Sequence, residues 1–499
     1  MIVGYAVADV RAAEDRVRAD LPEGELMQRA ARGLAEVVAV RAEQLGARTV
    51  VVLAGPGDNG GDALWAASFL DGPDVTAVGV APRLHPEGRA AARAAGVEVV
   101  EVEPDAETLP GRVLEVLAAA DLVVDGLLGI GGRAGLRGAM TAVVDAVPDT
   151  AYLLAVDLPS GADPAGEEPL GRAPAVVADE TVTFGMCKPV HLLPGTEAAV
   201  GRLTVVDIGV ETDVPPVVER LEHDDVRSLW PVPGMGDHKY SRGVVGVVAG
   251  SEAYPGAAVL CVTSAVESGA GMVRYVGPGR PTDLVLAACP EVVPGPGRMQ
   301  AAVVGPGVEP HGCDHPDCAD HQADHVRELL GGDVPLVVDA GALELLASWV
   351  AAGNRRQAPT LLTPHAGELA RLLTAVTGEE VTRDQVEAAP VEHVRRAAAV
   401  SGCTVLLKGS TTLVADPDPT VPVRSQTDAP AWLATAGAGD VLAGLAGVLL
   451  AAGLPPRDAG SLAALVHGVA ADVANPGGPV RALAVARAIP VAVARLLGR

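Results

Sequence analysis

The sequence predicts an α/β protein of two domains, each a parallel sheet with helices on both faces. Three observations carry that reading. The chain has 499 residues, too many for one ordinary core. Continuous apolar runs rich in β-branched residues alternate with alanine-rich stretches of helical period. That rhythm breaks once, between about residues 211 and 240, in "ETDVPPVVERLEHDDVRSLWPVPGMGDHKYSRG". The boundary is expected near residues 215–222, giving domains 1–215 and 223–499.

In chain order, residues 9–46 are expected to be helical, with Leu26, Met27, Ala30, Leu34 and Val38 among the charges. The expected strands follow as "RTVVVLAG", "DVTAVGVA", "GVEVVEVE", "ADLVVDGLLG", "AYLLAVDLPSG", "ADETVTFG" and "GRLTVVDIGV". Ligands of such sheets bind beyond the carboxyl ends of the strands. The loops beginning at Gly55, Asp125 and Asp157 should therefore converge on one site. After the boundary come "GVVGVVAGS", "MVRYVGP", "AAVVGPG", "VPLVVDAGAL", "PTLLTPHAGE" and "CTVLLKGSTTLVA", then a helical end. The longest apolar tract, Val441 to Leu454, is too short to span a bilayer and reads as a buried helix.

Composition narrows the function. Apolar residues at 49% exclude general disorder, and aromatics at 2% leave the core to Ala, Val and Leu. A net charge of −26 argues against nonspecific binding to nucleic acid or an anionic membrane. Six cysteines without a CxxC pair read as reduced thiols in a cytoplasmic protein. The start, "MIVGYAVADVRAAEDR", shows no secretion signal.

In "VVLAGPGDNGGDALWAA" a strand runs through a glycine loop into a helix, the usual build of a phosphate cradle. The loop carries Asp58 and Asp62 but lacks the GK[ST] ending of a nucleotide-triphosphate loop. Taken alone, a tight strand–helix turn explains it equally well. Two further strand ends join it: "VVDGLLGIGGRAG" with Asp125, and "AVDLPSGADPAG" with Asp157 and Ser160. Together they make a cup with backbone NH groups for phosphates and oxygens for a hard cation.

"GPGDNGGDA", "DGLLGIGGRAG", "DLPSG" and "ADETVTFGMCKPVHLLPG" resemble the successive motifs of the NAD(P)H-hydrate epimerase domain, a Rossmann-like three-layer sandwich. The resemblance covers nearly all of residues 1–210. It implies interconversion of the R and S epimers of NADHX and NADPHX, the hydrated reduced cofactors. It implies K⁺ on Asn59, Asp125 and Ser160, and Asp157 as the acid/base group. Substrate contacts would come from Asp58, Asn59, Gly60, Gly61 and Asp62, from Gly129, Ile130, Gly131, Gly132, Arg133, Ala134 and Gly135, and from Asp157.

The sharpest signal of the second half is "LATAGAGDVLAGLAGVLLA". Its Gly-Ala-Gly-Asp turn opens a long apolar helix whose free NH groups attract a phosphoryl group. Asp440 there is placed to take a proton from an attacking hydroxyl, or simply to cap the helix. With "GVVGVVAGSEAYPGAAV", "VVGPGVEP", "TPHAGE" and "TVLLKGSTTLVADP", this half resembles the ribokinase-like NAD(P)H-hydrate dehydratase over roughly residues 223–499. The resemblance implies phosphorylation of the C6 hydroxyl of the S epimer at the expense of ADP, with Mg²⁺, followed by loss of phosphate. Ala257, Gly307, His365 and Asp440 would contact the hydrate. Lys408, Gly409, Ser410, Thr411, Thr412 and Gly439 would hold the nucleotide, and Glu368 would orient Mg²⁺ through water. A homo-oligomer is expected.

Two other readings remain open at this point. The chain could be a ribokinase-type kinase of small molecules, or its first half a degenerate binding module. "TPHAGE" weighs against the first, and the joint presence of Asn59, Asp125, Asp157 and Ser160 against the second. One stretch fits no motif: "HGCDHPDCADHQADH", His311 to His325. Its ligand types, Cys313 and Cys318 included, would satisfy zinc, while its spacing matches no standard finger and its acids suit a solvated loop.

Overall fold

The computed structural model describes residues 1–310 and 321–499, so Cys313 and Cys318 lie outside the described residues. The chain forms two compact units, Val3–Val218 and Glu219–Arg499, the second joined by Met1–Ile2. The N-terminal ammonium pairs with Glu222 at 2.9 Å and Asp225 at 2.8 Å, which ties the first residues to that unit.

Among the described residues the Val3–Val218 unit holds a seven-stranded sheet, every strand parallel to its neighbours. In spatial order the strands are Glu98–Val102, Asp74–Val80, Thr49–Ala54, Leu122–Gly126, Tyr152–Val156, Glu180–Phe184 and Arg202–Val206. All seven apolar runs named from the sequence are these strands. The strand Leu122–Gly126 is buried throughout, as strands covered on both faces are, whereas the edge strand Glu98–Val102 is part exposed. The chain reverses direction across the sheet between Thr49–Ala54 and Leu122–Gly126. That switch point opens a crevice at the strand ends, and both glycine loops leave from it.

One helical expectation changes. Residues 9–46 form two helices, Val7–Asp20 and Glu25–Leu45. Pro22 ends the first, and Gly24, at φ +80°, supplies the left-handed turn that re-aims the second.

The strands that lie wholly within Glu219–Arg499 run, in spatial order, Val423–Gln426, Thr412–Ala415, Thr404–Leu407, Thr360–Leu362, Leu336–Val338, Ala301–Val304, Val244–Val248, Met272–Val276 and Val293–Pro294. From Thr404–Leu407 onward in that order they are parallel; the first three pair antiparallel. "CTVLLKGSTTLVA" is therefore a hairpin of two strands rather than one, turned at Gly409 and Ser410. The switch point lies between Val244–Val248 and Ala301–Val304.

The tract from Val441 lies in the helix Ala438–Ala451, buried on nearly every face. It packs on the helix Pro255–Glu267 so closely that a Cβ on Gly444 would stand 2.3 Å from the Cys261 carbonyl oxygen. Valine, leucine and alanine make up almost all of this core, as the scarcity of aromatics requires. Among the described residues no helix is long and apolar enough to cross a membrane.

Candidate active sites

In the first unit, strand register places Asp125 beside Leu53 and Ala155, one residue before its own strand ends. The Asn59 amide crosses the switch point. Its Nδ2 donates to the Val156 carbonyl at 2.7 Å and to the Leu128 carbonyl at 3.1 Å, which leaves Oδ1 to accept. Ser160 donates through Oγ to Asp125 Oδ1 at 2.7 Å, and its N–H donates to Oδ2 at 2.9 Å. Asn59, Asp125 and Ser160 are thus brought to one place, all buried. Burial pushes the Asp125 carboxyl up to about 6, against the lowering pull of the Ser160 and Leu127 hydrogen bonds. A buried carboxylate, an amide oxygen and a hydroxyl are a donor set of the kind a hard cation uses.

Asp157 follows the strand Tyr152–Val156 in the left-handed region, at φ +67°, a conformation costing a non-glycine residue roughly 1–2 kcal/mol. Four contacts hold it there. Its N–H donates to the Val182 carbonyl at 2.7 Å. Lys188 Nζ, only 1% exposed, pairs with its Oδ1, to which Thr183 Oγ1 also donates at 3.0 Å. His191 closes the group. Its Nδ1 accepts from the Lys188 N–H at 3.0 Å, so Nε2 carries the hydrogen and donates to the Asp157 carbonyl at 2.7 Å. Burial, with the Lys188 charge, lowers this imidazole to about 4 and keeps it neutral.

Asp157 lines a cavity of about 490 Å³ with Asp58, Asn59, Asp62, Glu14, Trp65 and Ile130. A second cavity of about 470 Å³, sharing Asp58, Asn59 and Ile130, is walled by Gly129, Gly131 and Gly132. Gly60 lies beneath the loop instead, where a Cβ would meet the Gly55 carbonyl oxygen at 2.2 Å, and a Cβ on Gly61 would meet the His85 ring at 3.0 Å. Gly135, at φ +91°, donates its N–H to the Gly161 carbonyl. Neither cavity is lined by Arg133, Ala134 or Gly135.

In the second unit Asp440 lies in the first turn of Ala438–Ala451, whose start has no side-chain cap. The capping role that the sequence left open is therefore not filled. Asp440 is half-buried, and its carboxyl is pushed up to about 7 by burial and then by Asp339, with Lys408 pulling the other way. Lys408 Nζ donates to Asp339 Oδ1 at 2.8 Å and lies 3.7 Å from Glu368. Thr363 Oγ1 donates to the same Asp339 oxygen at 2.9 Å. Burial opposes the Lys408 charge, but Asp339, Glu368 and Asp440 outweigh it and raise the ammonium. A Cβ on Gly439 would stand 3.4 Å from Lys408 Nζ, so the GAGD turn and the lysine meet.

His365 caps the helix Ala366–Thr377, its Nδ1 accepting from the Gly367 and Glu368 N–H groups. Its backbone pairs with that of Lys408. Partial burial lowers the imidazole, with Glu368 opposing. Glu368 accepts from the His365 N–H at 2.9 Å in the same cap. A Cβ on Gly307, at φ +66°, would meet that of Ala257 at 2.7 Å, and one on Gly437 the Leu260 side chain at 2.4 Å. The helix carrying Ala257 and Leu260 thus joins Gly307 to the turn before Asp440. Ser410 is exposed, Thr411 is buried, and Thr412 opens the second hairpin strand.

Several residues of these sites escaped the sequence reading. Lys188, Thr183 and His191 stand in a stretch quoted for its resemblance without roles of their own. Asp339 ends a strand just as Asp125 and Asp157 do, and the same rule would have found it. Among the described residues only Asp157 and Ala340 are non-glycines at positive φ. One is a site carboxylate and the other directly follows one, where strain of this kind concentrates. Gly341 has no room for a side chain as the backbone runs, because a Cβ would lie 2.0 Å from the Val308 carbonyl oxygen. The four described cysteines, Cys187, Cys261, Cys289 and Cys403, are buried and form no disulfide with one another.

Known proteins match both halves. The family model for the YjeF-related protein N-terminus matches residues 23–190, and that for NAD(P)H-hydrate dehydratase matches residues 245–489. A bifunctional NAD(P)H-hydrate repair enzyme of Mycobacterium leprae is 44% identical over 488 residues, covering 95% of this chain and 94% of its own. Its namesake in Mycobacterium tuberculosis is 45% identical, covering 91% and 90%. That of Corynebacterium glutamicum is 34% identical, covering 90% and 87%. A solved ADP/ATP-dependent NAD(P)H-hydrate dehydratase of Bacillus subtilis, co-crystallized with ATP/Mg²⁺, is 25% identical, covers 55% of this chain and 97% of its own, and has a TM-score of 0.47. With both units and both families matched along nearly the whole length, the chain belongs to the bifunctional NAD(P)H-hydrate repair enzymes.

Proposed function

We propose that this chain repairs hydrated nicotinamide cofactors in two reactions, one in each unit. The first unit inverts C6 of R- and S-NAD(P)HX; the second phosphorylates the C6 hydroxyl of the S epimer and expels phosphate, yielding NAD(P)H. The observation that carries the reading is a pair of aspartates, one in each unit: Asp157 at a strand end, paired with the buried Lys188, and Asp440 in the first turn of a helix, within the field of Lys408, each next to glycine loops suited to phosphates.

Asp440 serves as the base. Burial and Asp339 keep its proton affinity near neutral, the range in which a base can take a hydroxyl proton and release it again. Lys408 and the uncapped helix start, with Gly439, face the phosphoryl groups of ADP, and Mg²⁺ bound to those phosphates would neutralise developing charge. In the first unit K⁺ would sit on Asn59 Oδ1, Asp125 and Ser160. There it would compensate a buried carboxylate and fix the loop at Gly129.

The test supplies mixed R- and S-NADHX with ADP, ATP or neither and follows NADH absorbance. Both epimers should be consumed with the competent donor. Asp440→Asn should stop NADH recovery while R/S exchange continues, and Asp157→Ala should leave the R form untouched. Phosphorylation of sugars with the hydrate ignored would overturn the reading.

A further inference from the structure

We propose that Asp62 is a second catalytic carboxyl of the first site, delivering the proton that expels the C6 hydroxyl while Asp157 receives the proton of the incoming water. This deepens the epimerase reading and rests on it. Asp62 is 8% exposed and lines the same cavity as Asp157. Its Oδ1 is buried and has no hydrogen-bond partner among the described residues.

An orphaned buried carboxylate is costly, and a neutral acid lacking an acceptor is much less so. The groups facing Asp62 favour the neutral form. Burial first, then Asp157, Asp58 and Glu14, raise its carboxyl well above the ordinary range, and Arg18 alone opposes them. His85 and Glu23 line the same cavity. Asp157 differs in kind, being ion-paired with Lys188 and bonded to Thr183. Two carboxyls on one cavity, one with an ammonium against it and one with no partner, are the usual division into base and acid.

The chemistry needs both. C6 of the hydrate bears the hydroxyl and the ring nitrogen on one carbon. Asp62 donates its O–H proton to the hydroxyl, the C6–O bond breaks, and water departs with the bonding pair. The nitrogen lone pair forms the N1=C6 double bond of an iminium ion. Water then adds to the other ring face through an oxygen lone pair, the π pair returns to N1, and the proton of the entering water passes to Asp157. No electrons are gained or lost overall. Asp62 ends as a carboxylate and Asp157 as an acid, which is the set required for the reverse inversion.

The test uses the full-length chain, R-NADHX and ¹⁸O-water without nucleotide. Each inversion should place one ¹⁸O at C6 of the S product. Asp62→Asn should lower R-to-S conversion by ~10²-fold or more, the range of a lost general acid, with the loss in kcat rather than KM. A thermal melt in which the first unit of the variant unfolds no earlier than that of the wild type serves as the folding control. Wild-type inversion with the original oxygen retained would overturn the proposal whatever the variant does. So would inversion at the wild-type rate by Asp62→Asn. A wild-type chain that inverts nothing, by contrast, removes the epimerase reading itself.

Discussion

Asp440 shows how burial sets the working range of a base. Its carboxyl stands at about 7, so dehydration, which needs the carboxylate, should rise with pH through that value. At pH 6 the rate should be ~10-fold below its plateau. Asp339→Asn removes the strongest repelling charge on Asp440 and should move the rising limb to lower pH, as a profile of kcat/KM for S-NADHX would record. Stability runs the opposite way. The folded value of about 7 exceeds the unfolded 3.8, so the contribution is complete below pH 4 and lost as pH rises through 7. Asp440→Asn should therefore melt above the wild type at pH 8, and the gap should close at pH 4. A thermal melt at both values checks the sign.

Glycine governs the site at the scale of loops and helices. A Cβ on Gly129 would lie 2.2 Å from Asn59 Oδ1, the oxygen proposed for K⁺. Gly129→Ala should displace that amide by a fraction of an ångström to an ångström and lower R/S exchange by ~10²-fold, with dehydration of S-NADHX unaffected. The same substitution should reduce the rise in melting temperature that KCl gives over NaCl. Gly444 plays a packing role instead, letting Ala438–Ala451 touch Pro255–Glu267. Gly444→Ala overpacks that crossing and should destabilise the fold by about 1–3 kcal/mol, read from denaturant unfolding. The hairpin Thr404–Leu407 and Thr412–Ala415 explains why Lys408 is well placed: it leaves a parallel strand at the end where Asp339 and His365 also emerge. Sequence pattern named the strand but missed the turn, because "KGSTT" read as a nucleotide loop conceals a reversal.

For the whole molecule, each proposed site lies within one compact unit, and a lesion in one should spare the other. Mixing full-length Asp157→Ala with full-length Asp440→Asn should restore consumption of both epimers, since the first supplies dehydration and the second inversion. Recovery of NADH from R-NADHX in the mixture, with neither variant alone giving it, is the expected result. Failure of the mixture, with each variant keeping its own reaction, would mean that substrate must stay with one chain.

Sequence alone determined the two sheets and their parallel strands, the strand ends that carry Asp125 and Asp157, and the turn that carries Asp440. Those features are local, because apolar runs, glycine turns and helix starts are written over a few neighbouring residues. Only the tertiary structure decided what each aspartate meets. Lys188 lies 31 residues from Asp157, and Lys408 lies 69 from Asp339. Such pairs form through crossover connections and strand register, which no short window contains. The left-handed turn at Asp157 and the unpartnered oxygen of Asp62 likewise follow from packing around them. A chain can announce where its carboxylates emerge, but their charge state is settled by whatever is folded against them.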